Sequence, residues 1–456
     1  MTNEVSFGPF VLSVPQRRLW HAGARVALKP KEAELLVLLA ERRPSTITKD
    51  EIIERLWRGA AASDAALTQT VYRLRQTLGR YTAQGDFIRT IPGVGFQFAG
   101  GSPIETRSGE LDFERPGFSL YQQAAFHYRR HTETSVTEAI RLLERVRGEH
   151  PQYVPALVLL AKAYTEAGIR LFRNAQDAYW HACRALTTVI EREPAYAEAH
   201  ASLSTLLLFF NGYSERARGA AERALLLEPN ASHARKAAFW ERLACADFEA
   251  ALTQADLAVR SGPASSQSIS LLGTGLYMAG RFDDAHRCFE TARRLDPLHT
   301  ISLYYEASAF VVTGEHERAE KLLALIGGAD LRARVLALRG CIATARGDSS
   351  ESARAIAALT GANAPSNLSL AAVYAARGDF ATAAHMLERA ARSREPGLFL
   401  SVVDPLYAPL RISQAEAFAT IERRGSLLCD RCGTEIRTRE AQPQSEIFLC
   451  GACYAL

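Results

Sequence analysis

The sequence predicts a mainly α-helical chain in three parts: a small α+β domain at the N-terminal end, a long solenoid of paired helices, and a small cysteine-bound module at the C-terminal end. Three observations predict this. Strand-like and then helix-like hydrophobic periodicity fills the first hundred residues. Prolines recur at 194, 229, 263 and 297, separated by 35, 34 and 34 residues. Four of the eight cysteines crowd into the stretch 429–453. At 456 residues the chain is long enough for two or more domains.

Residues 5–28 read as short strands, with Val5, Phe7, Phe10, Leu12 and Leu19 apolar and Gly8-Pro9, Pro15 and His21-Ala22-Gly23 as breaks. From Pro30 to about Arg43 the spacing of Ala33, Leu36, Val37 and Ala40 predicts a helix. Thr48-Lys49-Asp50-Glu51 has the form of a capping box and starts a second helix that reaches about Trp57. Residues 58–62 form a connection. Ser63 caps a third helix that Gly79 closes. Leu67, Val71, Leu74 and Leu78 form its apolar stripe, and Thr68, Gln69, Tyr72, Arg73 and Gln76 lie on the opposite side. Arg89-Thr90-Ile91 and Phe96-Gln97-Phe98 flank a Gly-rich turn, as hairpin strands do. Strands, three helices and a terminal hairpin make a winged helix-turn-helix over residues 1–99.

Charge agrees with that reading. The first hundred residues carry fourteen Lys/Arg against nine Asp/Glu, a net +5, so the rest of the +4 chain sums to −1. A cationic surplus beside a helix with a polar face suits DNA. Arg73 has the geometry for a bidentate pair with guanine O6 and N7, and Gln69 for adenine N6 and N7.

Three segments carry a specific resemblance. Leu28 to Leu36 resembles the first helix of the OmpR/PhoB-type DNA-binding domain, Leu67 to Gly79 its recognition helix, and Phe87 to Phe96 its wing. The resemblance implies base contacts at Thr68, Gln69 and Arg73, phosphate contacts at Thr70, Tyr72, Arg75 and Thr90, and an electrostatic contribution from Arg89. It also implies binding to promoter DNA as a homodimer, and a contact with RNA polymerase through the loop Arg58–Ser63. One departure matters. Relatives often carry a cation in the wing, whereas Pro92 stands there and Gly93-Val94-Gly95 is uncharged. A shallow salt dependence of DNA binding follows. Because the winged helix opens this sequence, no receiver domain is expected before it, and control is expected to be of the one-component kind.

Residues 100–117, rich in Gly, Pro and charge, read as a linker. The period of 34 beyond it is that of tetratricopeptide repeats. Leu272, Gly273, Gly280, Phe282, Ala285, Phe289, Ala292 and Pro297 carry the clearest copy. Gly273 and Ala285 mark a close approach of two helices, Gly280 the turn, and Pro297 the stop. Weaker copies run through Gly212/Ala217/Ala224/Pro229, Phe248/Ala251/Ala258/Pro263, Gly314/Ala319 and Gly378/Phe380/Ala383/Ala390. The 43 residues from Pro151 to Pro194 fit one repeat with nine inserted near Ile169–Asp177. About seven or eight repeats are expected over 118–395, with 396–425 as a cap or linker.

Cys429, Cys432, Cys450 and Cys453 stand as C-x2-C-x17-C-x2-C. Two such turns supply the four thiolates a structural Zn2+ takes, and residues 426–456 resemble a zinc ribbon. A redox dithiol pair and four unliganded thiols remain the alternatives. Cys183, Cys245, Cys288 and Cys341 read as small buried residues of helices. His127 and His131 read as a helical surface pair with no third ligand.

No apolar run approaches the ~18–20 residues of a membrane span, and no leader pattern opens the chain, so a cytoplasmic protein is expected. Phosphate-loop, H-E-x-x-H and G-x-S-x-G motifs are missing, so no enzyme is expected. The expected function is a sequence-specific transcription regulator, similar in arrangement to cytosolic virulence and invasion regulators. Its solenoid would bind a protein or small molecule, or mediate self-association. The alternative is a repeat scaffold whose winged helix binds protein.

Overall fold

The computed structural model describes residues 4–7, 10–21, 24–42, 46–57, 64–81, 87–91, 94–98, 117–260, 265–327, 331–361, 366–415 and 418. The chain divides into two compact units. One holds 1–130 and 141–153, the other 131–140 and the chain from 154 onward.

The first unit opens with a four-stranded antiparallel meander: β1 (Glu4–Phe7), β2 (Phe10–Ser13), β3 (Arg18–His21) and β4 (Ala24–Val26). Its register explains an apolar spacing of seven. Val5 faces Leu12, Leu12 faces Leu19, and Leu19 faces Val26, so one row of buried side chains crosses all four strands. Cross-strand pairs of this kind are what hold so short a sheet together.

Helices α1 (Pro30–Glu41), α2 (Lys49–Trp57) and α3 (Asp64–Gly79) pack beneath it. Pro30 suits the first turn of α1, and the Glu32 carboxylate accepts from the Lys29 amide at 3.1 Å. Thr48 caps α2, its Oγ1 accepting from the Glu51 amide at 3.3 Å. Glu51 in turn pairs with Arg42 and Arg55, at 3.5 and 3.2 Å. The expected Ser63 cap lies outside the described residues.

The wing strands are β6 (Ile88–Ile91) and β7 (Gly95–Phe98). A further strand, β5 (Thr46–Thr48), pairs with β7 and makes the order β5-β7-β6. Sequence reading used Thr48 only as a cap and missed this strand. Three residues are too few to show alternation. Its pairing needs Gly95, because a Cβ there would stand 2.0 Å from the Ile47 carbonyl oxygen. Phe7 joins the two sheets, with ring centroids 5.2 Å from Phe87 and 5.0 Å from Phe98.

Among its described residues the second unit has seven consecutive helix hairpins. Their first helices are Val154–Ile169, Ala197–Asn211, Ser232–Ala244, Ser266–Met278, Thr300–Val312, Arg332–Ala345 and Asn367–Ala376. Their second helices are Ala175–Arg192, Glu215–Leu227, Phe248–Arg260, Phe282–Leu295, His316–Leu323, Ser349–Thr360 and Phe380–Arg392. Helices Phe118–Tyr128 and Glu133–Glu149 precede them. The sixth hairpin, marked by Gly340 and Gly347, carries none of the copies read from the sequence.

Gly273 lets two helices meet, since a Cβ there would stand 2.7 Å from the Phe289 ring. Gly280 takes φ +74° in the turn, where side chains are strained. Ala246 takes φ +56° one repeat earlier, without that freedom. The nine-residue insertion in the first hairpin is shared between its parts. The first helix has 16 residues against 13 in Ser266–Met278, and the second has 18 against 14 in Phe282–Leu295. The two remaining residues lengthen the turn between them.

Cys183 and Cys341 are buried, but Cys245 is exposed and Cys288 half-buried. The expectation of four buried thiols is corrected at those two. Cys245 follows the last turn of its helix, and Cys288 lies near the outer side of Phe282–Leu295. His131 is held by Glu166 at 2.7 Å.

Beyond Arg392 the chain folds back. Short helices at Leu400–Val403 and Ala408–Ser413 flank a turn at Pro405–Tyr407. Leu410 and Phe418 cover the core of the last hairpin. The same segment also reaches earlier repeats. The Gly397 amide donates to the Phe209 carbonyl at 2.7 Å, and the Phe399 ring meets Phe209 at 5.2 Å. Tyr277 donates to Asp404 at 2.6 Å, and Tyr407 to the Leu368 carbonyl at 2.9 Å. Every one of these partners sits on the first helix of its repeat, so the segment lies along the face those helices share. No helix among the described residues is long and apolar enough to cross a membrane.

Candidate nucleic-acid interface

Helix α3 is anchored by its apolar stripe. Leu67, Val71, Leu74 and Leu78 are at most 3% exposed. That burial turns Thr68, Gln69, Tyr72, Arg73 and Gln76 outward, all of them exposed and Tyr72 63% so. The face is therefore fixed by packing on its back.

The exposed residues differ in what they have left to offer. Gln69 and Arg73 make no hydrogen bond or ion pair among the described residues. Their amide and guanidinium are open to a ligand. Thr68 donates its hydroxyl to the Asp64 carbonyl at 2.8 Å. It then presents an acceptor oxygen and a methyl, which suit an amino donor or a thymine methyl but not guanine O6. Thr70 is half-buried and donates to the Ala66 carbonyl at 2.8 Å. A phosphate accepts only, so contact there requires the Thr70 hydroxyl to swing off that carbonyl. The Tyr72 oxygen lies 3.5 Å from Gln76 Nε2, at the limit of a hydrogen bond.

Arg75 has a different place. It is half-buried, and its Nε donates to the Ile88 carbonyl at 3.1 Å. Its Nη2 donates to the same carbonyl and to Thr90 Oγ1, the latter at 3.0 Å. Arg75 thus ties α3 to wing strand β6. Thr90 accepts that bond and keeps its own O–H, the form a phosphate contact needs. Arg89 is exposed on the same strand. Sequence reasoning gave Arg75 a phosphate contact and missed the tie, because its partners lie 13 and 15 residues away.

Two further contacts steady the helices. Lys49 pairs with Asp64 at 2.8 Å, joining the starts of α2 and α3 and neutralising a carboxylate on the α3 face. Lys31 donates to the Leu56 carbonyl and pairs with Glu34 at 2.8 Å. The Lys49–Asp64 pair is exposed and Lys31–Glu34 part-buried at the surface, and each contributes about 0–1 kcal/mol. Pro92 and Gly93, the loop 58–63, and Cys429, Cys432, Cys450 and Cys453 lie outside the described residues.

Comparisons with known proteins fall on the same elements. Residues 23–98 match the family "Transcriptional regulatory protein, C terminal", and residues 270–330 match "Tetratricopeptide repeat". The cholera toxin homolog transcriptional activator of Vibrio parahaemolyticus is 33% identical over 97 residues, which are 20% of this chain and 33% of that one. The DNA-binding response regulator MtrA of Mycolicibacterium smegmatis is 29% identical over 94 residues, 20% of this chain and 41% of that one. A crystal structure of the Klebsiella pneumoniae RstA DNA-binding domain in complex with RstA box is 24% identical, covers 21% of this chain and 95% of that one, and has a TM-score of 0.19. The match spans about a third to two fifths of the length of the first two relatives. The chain therefore carries an OmpR/PhoB-type domain at its N-terminal end and tetratricopeptide repeats beyond it.

Proposed function

We propose that this protein is a sequence-specific DNA-binding transcription regulator of the cytoplasm. The observation that carries the reading is the outer face of α3. There Gln69 and Arg73 stand exposed and unspent while the back of the helix is locked in the core. Thr68, Gln69 and Arg73 read base edges in the major groove. Tyr72, Thr90 and Arg89 lie at phosphates, with Thr70 at the helix shoulder and Arg75 holding the wing. The uncharged wing makes base reading a larger share of the affinity than in a fully basic wing. Binding as a homodimer on repeated half-sites, and a contact with RNA polymerase through residues 58–63, belong to the same reading.

The test is selection of genomic DNA fragments by the full-length protein, with Arg73→Ala alongside. A bidentate contact is worth ~1–3 kcal/mol, so the variant should bind about 5- to 150-fold more weakly and lose preference at one base pair. An identical motif and affinity would exclude Arg73 as a reader. The scaffold alternative draws on the uncharged, 46% exposed Val94 at the wing. It predicts no fragment enrichment from either protein.

We also propose one structural Zn2+ held by Cys429, Cys432, Cys450 and Cys453. The support is the doubled C-x2-C spacing and the small size of the segment, which leaves folding energy to the metal. Metal analysis should find one zinc per chain, lost in Cys432→Ser. Zinc-free protein with titratable thiols would favour the redox alternative.

A further inference from the structure

The second unit contains a cavity of about 640 Å3 along the face shared by the first helices. Its volume falls within the range of small-molecule sites. One side is the turn Arg170–Phe172 of the first hairpin. The opposite side is the start of helix Arg332–Ala345, and part of the wall is the returning segment from Glu395 to Tyr407. Residues 120 and more apart in sequence thus enclose one space.

The charges in it are unevenly satisfied. The Glu395 carboxylate already accepts from the Ser366 hydroxyl and, at 3.1 Å, from the Leu368 amide. Asp404 accepts from Tyr277 at 2.6 Å and from the Leu406 amide at 2.9 Å. Both carboxylates are satisfied by neutral donors. Arg170 pairs with Glu166 at 3.0 Å. Arg334 is different. It lies 5.8 Å from the Tyr304 ring centroid and lines the cavity together with Tyr305, but it makes no ion pair within 4 Å among the described residues. Its charge is offset only at longer range, by Asp404 and Glu395, and no carboxylate sits on its nitrogens, which leaves the direct anion position open.

The neighbours narrow the class of anion. Burial holds the Tyr305 phenol up to about 12, so it stays a donor at any working pH. Leu336, Leu368, Leu400 and Leu406 supply apolar wall. Asp404 and Glu395 line the same cavity and feel the Arg334 charge, so the site suits one added negative charge at Arg334 and disfavours several.

We propose that this cavity binds an organic monocarboxylate of metabolite size, its carboxylate on Arg334 and the Tyr305 phenol and its body among the leucines. The site belongs to the repeat unit, and its ligand is read out by binding, so it stands or falls independently of DNA recognition. Because Glu395–Tyr407 forms part of the wall, occupancy also bears on the segment that runs on toward Cys429.

The test uses full-length protein, isothermal calorimetry and thermal shift. The probes are octanoate, benzoate and phenylacetate, against octanamide, benzamide and inorganic phosphate. The expected result is one-to-one binding of at least one carboxylate with a raised melting temperature, and none by its amide. Arg334→Gln should weaken that binding at least about ten-fold. Ala358→Trp is the second variant. Ala358 is an exposed rim residue, so the bulky ring should obstruct entry with the core and the charge intact. Circular dichroism checks that both variants keep their helices. Silence of all three carboxylates at about 10 mM, equal binding of acid and amide, binding of phosphate instead, or unchanged affinity in both variants would each overturn the proposal.

Discussion

Arg73 and Arg75 stand two residues apart on one helix, and the structure leaves the first guanidinium open while it ties the second to β6. Replacing Arg75 with Ala removes three hydrogen bonds from a half-buried guanidinium to β6. Bonds to charged groups contribute ~1.5–3 kcal/mol each at best, but these share one donor group and one carbonyl, so a total near 2 kcal/mol is the reasonable figure. The Ile88 carbonyl keeps its place in the sheet, so the loss is local. Amide exchange of Ile88–Ile91 in the full-length protein should then quicken about 30-fold, which is 2 kcal/mol at about 1.4 per decade. DNA affinity should fall as well, uniformly across sequences, because the wing is no longer held. Arg73→Ala should do the reverse: exchange unchanged, base preference altered. If Arg75→Ala leaves exchange at Ile88–Ile91 untouched yet lowers affinity in proportion to phosphate contact, Arg75 is a phosphate ligand and the positioning argument is wrong.

Three other outcomes follow from the packing. Gly95→Ala places a Cβ 2.0 Å from the Ile47 oxygen, backbone against backbone, and should cost more than about 3 kcal/mol; proteolysis of the winged domain is the readout, and wild-type resistance would refute it. Ala246→Gly should stabilise the repeats by about 0.5 kcal/mol, since relief of the left-handed strain, ~1–2 kcal/mol, exceeds the entropy a glycine adds to the unfolded chain, and a lowered thermal midpoint would count against it. Lys236 is pushed down to about 8 by burial and by nearby Lys162, against an ordinary 10.5. The unfolded chain therefore holds a proton that the folded one has lost between those values, and stability should rise with pH from about 8 to about 10.5. Lys236→Gln, which keeps a polar group beside Gln267, should flatten that rise.

The winged domain was largely legible in the sequence because its signals are local. Pro30 and Thr48 announce helix starts, and the Leu67/Val71/Leu74/Leu78 stripe fixes which side of α3 faces out. The seven-residue rhythm of Val5, Leu12, Leu19 and Val26 was present but unread, because it is a property of sheet register and not of one strand. β5 was illegible for a related reason: three residues carry no period, and the strand exists only because Gly95 lets β7 approach. The candidate reading residues were legible by type, but their availability was not. Whether a threonine hydroxyl or a guanidinium is already spent depends on carbonyls elsewhere in the fold, as the different fates of Arg73 and Arg75 show.

The repeats were legible wherever Gly, Ala and Pro fell at the turn, the helix contact and the stop. The sixth hairpin escaped because Gly347 comes 33 residues after Gly314 and 31 before Gly378, and because the proline run skips a beat: Leu331 stands 34 residues after Pro297, and the next proline in the frame is Pro365. The returning segment was harder still. Asp404-Pro405-Leu406-Tyr407 reads as an end of the solenoid, and Leu410 does cover the last hairpin. Yet Tyr277, wholly buried, spends its phenol on Asp404 across 127 residues, and burial drives that phenol far up its scale and the carboxyl upward too. No sequence pattern pairs them. A bond of that kind fastens the segment to the middle of the array and not only to its end. Tyr277→Phe leaves the Asp404 carboxylate with the Leu406 amide as its hydrogen-bond donor, so it should loosen Gly397–Asp404 without unfolding the seven hairpins. Faster exchange confined to that segment, with the hairpins protected, is the expected pattern. Uniform loss of protection would show instead that the segment is part of one cooperative core.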